Sequence, residues 1–213
     1  MPAIAAALSC PKNGLLSVFI TNLGKYNEGE LVGEWVSLPT TRDEIKACFK
    51  RIGVDGVKYE EYFLTDYESA LERVTAYIEE YTSLDELNYL ACQLETLSSS
   101  ELEHYQAIVE MGDISSLKAL INLVGQLDCY QYLSDIHNEY DLGYYWIEES
   151  GCYDISTLGN LANYLDYDKL GRDIALEQGG VFTANGYIYQ TDDRGHEEYD
   201  GKLVPCEYRV LSE

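Results

Sequence analysis

Apolar positions along the chain switch between a two-residue and a roughly 3.6-residue period, and the switches mark out the elements. Leu15 to Thr21 alternates and is β-rich, which predicts a strand, and Gly24, Asn27 and Gly29 then mark a loop. Leu31 to Leu38 predicts a second strand, stopped by Pro39. Thr41 is placed to cap a helix from about Arg42 to Ile52, with Ile45 and Phe49 inward. Tyr59 to Thr65 predicts another strand, with Asp66 opening the next helix. The pattern then turns helical. Ser69 to Tyr81 comes first, and Ser83 caps a helix whose Leu84, Leu87, Leu90, Ala91 and Leu94 share a face. Ser100 with Glu103 fits a capping box for a helix to about Met111, ended by Gly112. Ser115 or Ser116 opens a further helix with Leu117, Leu120, Ile121 and Val124 inward.

The last third mixes both periods. Asp141 to Glu149 predicts a helix, and Thr157 starts another with Leu158, Leu161 and Leu165 on one side. A helix from about Asp168 to Gln178 meets its C-cap at Gly179. Asn185-Gly186 between Val181–Ala184 and Tyr187–Gln190 predicts a type I′ hairpin. Asp192 to Gly201 is polar and loop-like, and Leu203 to Leu211 predicts an edge strand. The fold class is α+β, read as three stretches: an N-terminal α+β domain over 1–68, a helical middle domain over 69–127, and a C-terminal α+β domain with a hairpin and an extra tail over 128–213.

Charge changes this picture more than composition does. At 46% hydrophobic residues the 213-residue chain has enough apolar side chains for a real core, yet its net charge is −24. Most of that charge lies in 74–168, where eighteen carboxylates face a single cation, Lys118, for a net −17. The acids are Glu79, Glu80, Asp85, Glu86, Glu95, Glu101, Glu103, Glu110, Asp113, Asp128, Asp135, Glu139, Asp141, Glu148, Glu149, Asp154, Asp166 and Asp168. They come singly or in pairs between apolar residues at helical spacing, so folding places them on a defined surface. An ordinary solvent face mixes both signs, partly because opposite charges at i,i+4 support a helix. Omitting the cations costs stability through self-repulsion, which points to a use for the negative field itself. A sequence pI of about 4.2 excludes direct binding to nucleic acid by phosphate contacts.

Candidate chemistry mostly fails. No apolar run reaches the roughly 18 residues a membrane helix needs, and Ala3–Leu8, with no Lys or Arg before it, reads as a leader or first-strand segment of a cytoplasmic protein. Cys10, Cys48, Cys92, Cys129, Cys152 and Cys206 are scattered without metal spacing and read as buried free thiols. His104, His137 and His196 adjoin no recognised nucleophile motif, and no phosphate-binding glycine loop occurs. Asp166 to Glu177 has acids at EF-hand positions 1, 3 and 12 and Gly171 at position 6, but Leu170 stands at the position-5 ligand, so an acidic helix start is the stronger reading. A carboxylate-dependent hydrolase, glycosidase or metal-assisted, is the enzymatic alternative, although no pair of acids sits in an apolar setting that would raise one pKa. The twenty tyrosines suit half-buried positions with a wet edge. No cofactor is called for.

A rigid negative surface can stand in for nucleic acid. B-DNA carries one charge per roughly 1.7 Å of axis, so 24 carboxylates correspond to roughly 40 Å of duplex. The chain also resembles the ArdA antirestriction family. The resemblance starts at Ile20-Thr-Asn-Leu-Gly-Lys-Tyr-Asn-Glu-Gly-Glu-Leu-Val-Gly-Glu-Trp35 with Leu38-Pro39, continues through Glu60-Glu-Tyr-Phe-Leu-Thr-Asp-Tyr-Glu68 and Ser83-Leu-Asp-Glu-Leu-Asn-Tyr-Leu90, and returns in Asn163-Tyr-Leu-Asp-Tyr167 and Gly171-Arg-Asp173. It implies a DNA mimic that blocks the DNA-binding groove of type I restriction-modification enzymes in the bacterial cytoplasm. It also implies an elongated homodimer of chains with three small domains and an acidic helical surface. Residues 1–14 and about 192–213 lie outside the resemblance, and Gly24, Gly29, Gly33 and Trp35 read as fold elements of the first domain rather than as contacts.

Overall fold

The computed structural model describes residues 14–191 and 197–211. Their contacts gather into two compact units. One takes in the described residues of Met1–Ser98, Ile114–Val124 and Glu197–Glu213, and the other those of Ser99–Asp113 and Gly125–His196. Each unit therefore draws on more than one of the three sequence stretches.

The first unit is built on strand β1, Leu16–Asn22, all seven of whose residues are buried. It lies between β2, Gly33–Leu38, and β3, Tyr62–Ser69, in an antiparallel sheet of order β2-β1-β3. A bulge between Phe19 and Ile20 shifts the β1–β3 register. Helix α1, Leu23–Asn27, follows β1 directly where the glycines predicted only a loop. The reason is Asn22. Its side chain accepts from Lys25 N at 3.0 Å, and its amide donates to Ile52 O at 3.1 Å, so one buried residue caps α1 and ties it to Ile52. Gly24 and Gly33 are close-approach positions, since a Cβ would sit 2.4 Å from the Tyr59 ring and 2.5 Å from the Phe19 ring respectively. Trp35 meets Phe19 edge-on at 5.5 Å, which makes it the aromatic anchor the pattern predicts.

Helix α2, Arg42–Ile52, starts at a reciprocal Thr41–Glu44 capping box and ends at Gly53 in the left-handed region. It buries Ile45, Cys48 and Ile52, while Phe49 is half-buried against Tyr62. The helix predicted over 69–81 does not form. Pairing with the fully buried β1 carries β3 on to Ser69, and only a short 3-10 turn, Val74–Tyr77, follows. Strand hydrogen bonds to a central strand outweigh weak local helix propensity. Helix α3, Leu84–Glu95, buries the predicted leucine face, and α5, Leu117–Leu123, begins at Ser116, which accepts from Ala119 N.

In the second unit α4, Ser99–Met111, opens one residue before Ser100, which is thus inside the first turn, and Gly112 follows at φ +92°. Strand β4, Tyr130–Leu133, pairs with β6, Gly186–Gln190, which also pairs with β5, Val181–Thr183. The β5–β6 hairpin is present, but Gly186 is its first strand residue, opposite Thr183, and Ala184-Asn185 form the loop without positive φ, so the turn is not type I′. Gly186 is required instead by closeness, for a Cβ there would lie 2.5 Å from Leu133 O. Helix α6, Glu139–Tyr144, runs on into a π turn, Tyr145–Glu149, and crosses α7, Tyr167–Gln178, on two glycines. A Cβ on Gly143 would come within 2.0 Å of Tyr167 O, and one on Gly171 within 1.8 Å of Glu139 O. Leu142, Ile136 and Tyr187 form the core beside this crossing. The predicted helix from Thr157 is a 3-10 segment, Ile155–Tyr164, broken at Gly159 (φ +52°), and its Leu161 is 66% exposed.

The tail over 203–211 is not an edge strand but an irregular segment with a 3-10 turn at Cys206–Tyr208. Residues 1–13, 192–196 and 212–213 lie outside the described residues, and with them Ala3–Leu8, Cys10, His196 and part of the polar loop.

Candidate functional site

Each of the eighteen carboxylates read from the sequence has a described position. Fourteen are exposed, Asp85, Glu86, Glu110 and Asp141 are half-buried, and none is buried. Local structure explains how so many like charges are tolerated. Asp85, Glu86, Glu101, Glu139, Asp141 and Asp168 occupy first helical turns, and Asp154 and Asp166 are N-caps. At these places the positive end of the helix dipole and the free backbone N–H groups offset the repulsion. No cation stands in the last turn of α3, α4, α5, α6 or α7 to answer them.

Several of these carboxylates are held by neutral donors, which fix their direction and leave their charge in place. Tyr167 Oη donates to Glu148 at 2.6 Å, and this bond pushes the Tyr167 hydroxyl up to about 12. Asn138 Nδ2 and His137 N donate to Asp141, and Lys169 N donates to Asp166. Ser156 donates to Asp154 from both its hydroxyl and its backbone N–H, holding that carboxyl below its ordinary range. Lys118, the sole cation of 74–168, is already bound to Glu197. The ion pairs Arg51–Glu34 and Lys58–Glu28 likewise draw on carboxylates outside the eighteen.

Asp85 and Glu86 do not stand free at the start of α3, where helical phase alone would leave them in water. Val210 N and Leu211 N donate to Asp85 Oδ1 at 2.6 and 2.9 Å, and Tyr199 Oη donates to Glu86 at 2.8 Å. No signal near α3 in the sequence marks these tail residues as its partners. The signal that existed was two asparagines on apolar helix faces. Asn88 and Asn122 are buried, and both bond to tail backbone. A buried amide demands partners, so each advertises a chain segment packed against its helix.

The other candidates resolve as structure. Asp166 to Glu177 is the N-cap and body of α7, not a cation loop, and Gly171 is needed at the crossing with α6. Among the described residues no group of three or more His, Cys, Asp or Glu side chains is arranged to hold a metal ion. Glu44, Asp55 and Asp154 are all held below the ordinary carboxylate range by hydrogen bonds from hydroxyl and backbone donors, the opposite of what a general acid needs. His104 stacks on Tyr132 at 5.4 Å, and burial lowers its pKa. Five described cysteines are free thiols. Cys48 and Cys129 are buried as predicted, and burial pushes Cys48 up to about 12, whereas Cys152 and Cys206 are exposed. No helix among the described residues is long and apolar enough to cross a membrane.

What these elements define is an acidic protein of mixed α and β structure with two small antiparallel sheets. The family model described as antirestriction protein (ArdA) matches residues 18–189, and the chain belongs to that family. Comparison with curated proteins finds no match. The match ends before the tail that covers Asp85 and Glu86.

Proposed function

We propose that this chain acts against type I restriction-modification enzymes as a DNA mimic, seating its carboxylate surface in the groove that otherwise grips duplex DNA. The carrying observation is the placement of the acids over 74–168: none is buried, fourteen are exposed, and the one cation among them is already paired. Lys and Arg side chains that contact phosphates carry no sequence information of their own and respond to charge and spacing. A carboxylate accepts the same charge-assisted hydrogen bonds. Inhibition then needs occupancy alone, with no bond made or broken and no cofactor. The site of action is the cytoplasm of the bacterial host, where the enzyme meets DNA. The active form is a homodimer, and exposed Leu161, Tyr164 and Leu176 supply apolar surface for a second copy.

The direct test is competition. A purified type I methyltransferase core is equilibrated with labelled duplex and increasing amounts of this protein. Displacement of the duplex, with no binding of duplex by the protein alone, is the expected result. Formation of a ternary complex that retains the duplex would refute groove occupancy.

A further inference from the structure

Tyr81 is 72% exposed, yet it is held in place. Its ring stacks on buried Phe63 with centroids 6.5 Å apart, and Tyr26 meets Phe63 edge-on at 5.1 Å. The turn that carries Tyr81 is closed in both directions. Glu79 N donates to Thr82 Oγ1 at 2.7 Å, and Thr82 N donates to Glu79 O at 3.0 Å. Leu64 N donates to Glu80 O at 2.8 Å and ties the turn to β3. A ring fixed in this way meets a partner at little further entropic cost.

Tyr81 lines two cavities of the first unit. One, of about 400 Å³, has Glu60 and Glu61 in its wall, and the other, of about 460 Å³, has Glu79 and Glu86. Among the described residues neither wall includes a Lys or Arg. Other acid-lined cavities of the molecule differ in this respect. The one against the tail has Lys202 and Arg209 beside Asp85 and Glu86, and the one at the start of α7 has Lys169 and Arg172 beside Glu139, Asp166 and Asp168.

Tyr59 shows what a tyrosine with a neighbouring carboxylate holds in this chain. Lys58 Nζ lies 4.4 Å and Lys25 Nζ 5.9 Å from its ring centroid. Tyr59 Oη donates to Glu28, and Lys58 pairs with that same carboxylate. The ring face and the carboxylate attract the cation together. Tyr81 brings the same components to its cavity, but among the described residues no cation is paired with its ring, Glu60 or Glu61. A guanidinium suits them better than an ammonium, because it is planar, stacks on a ring and forks onto a carboxylate. Arginine is also a side chain with which proteins grip DNA phosphates.

We propose that Tyr81, with Glu60 and Glu61 beside it, is the seat for an arginine side chain of the target's DNA-binding groove. This rests on the mimicry reading above and names within it a contact that charge alone does not make. Tyr81 carries no charge, so imitation of phosphates by charge gives its ring no part in binding, whereas the seat needs the ring.

Three variants of the full chain are measured against a purified type I methyltransferase core, by affinity over a range of salt concentrations and by melting temperature. Tyr81→Leu should weaken binding roughly three- to thirty-fold, with the slope of log affinity on log salt unchanged because no charge is removed. Tyr81→Phe keeps a ring and should stay within about three-fold of the parent. Glu60→Gln with Glu61→Gln should weaken binding and flatten the slope. Added to Tyr81→Leu, that glutamate change should cost less than it does in the parent, since one arginine contacts all three residues. Every variant should melt close to the parent, because the altered side chains are exposed. The arginine seat is refuted if Tyr81→Leu binds as the parent does, and the mimicry reading survives that result if the glutamate variant is still weakened. The seat is equally refuted if Tyr81→Phe loses as much affinity as Tyr81→Leu, or if the loss comes with a lowered melting temperature. A parent that does not displace duplex from the core would refute the mimicry reading itself, and the seat falls with it.

Discussion

Two helical regions of this chain solve the same electrostatic problem in opposite ways. Helix α2 is conventional: Asp43 and Glu44 open it, Lys50 and Arg51 close it, and Arg51 forks onto Glu34 with bonds of 2.8 and 2.7 Å. Its charges cancel along their own dipole and against the neighbouring strand. Helices α3, α4, α6 and α7 keep the acidic half of that scheme, with carboxylates in first turns or caps and no cation in any last turn. Neutral hydroxyls, amides and backbone N–H groups orient several of these acids. A region that needed only solubility would look like α2. The second pattern is the one the proposed mimicry needs, with charge left for a partner's cations.

That contrast can be broken at its structural support first. Gly171→Ala or Gly143→Ala places a methyl within about 2 Å of backbone oxygen at the α6–α7 crossing. The expected cost is at least about 3 kcal/mol, read by chemical denaturation, because backbone rather than a flexible side chain must give way. A variant as stable as the parent would show that the two helices do not cross on these residues. Next in size, Asn122→Ala leaves the Tyr199 amide and carbonyl without their bridge, for a loss of about 1–3 kcal/mol. An unchanged denaturation midpoint would remove the tail from the folded first unit.

Smaller effects sharpen the comparison itself. Glu149→Gln, in the acid-rich stretch 74–168, should lower affinity for a type I methyltransferase core by less than about five-fold, because many weak contacts share the energy. Loss of all inhibition from that one change, with the fold intact, would mean a localised site. Raising salt should increase the melting temperature of the parent, since screening relieves like-charge repulsion more than it weakens the few ion pairs, and a steady decrease would contradict the unanswered-charge account. The smallest expected effect concerns acid. Burial lowers the His104 pKa below its ordinary 6.5, so between that value and the lowered one the unfolded chain holds a proton that the folded chain refuses. Stability is therefore full above about pH 6.5 and falls as pH drops through the interval. In His104→Phe this component of the slope should vanish, and a slope identical to the parent's would assign it to other groups.

Much of the fold was legible because local signals agreed with tertiary demand. Thr41 and Glu44, the leucine face of α3, Ser116 and Gly179 each sit where the pattern placed them. The failures came where a distant segment decided. Ser69 extends a strand because β1 lies beside it, which no window around Ser69 contains. Gly143 and Gly171 are 28 positions apart, and only their helix crossing explains both. The acids themselves were countable from the chain, and fourteen of the eighteen are exposed. The partners of Asp85 and Glu86 were not legible locally, because their donors arrive from more than a hundred residues downstream.

The measurement that bears most directly on the central claim is the salt dependence of binding to a purified type I methyltransferase core. If the carboxylates replace phosphates, log affinity should fall steeply and linearly with log salt concentration, as it does for the enzyme's own duplex, because the same Lys and Arg side chains exchange the same counterions. An affinity that stays flat across that range would contradict imitation of DNA by charge.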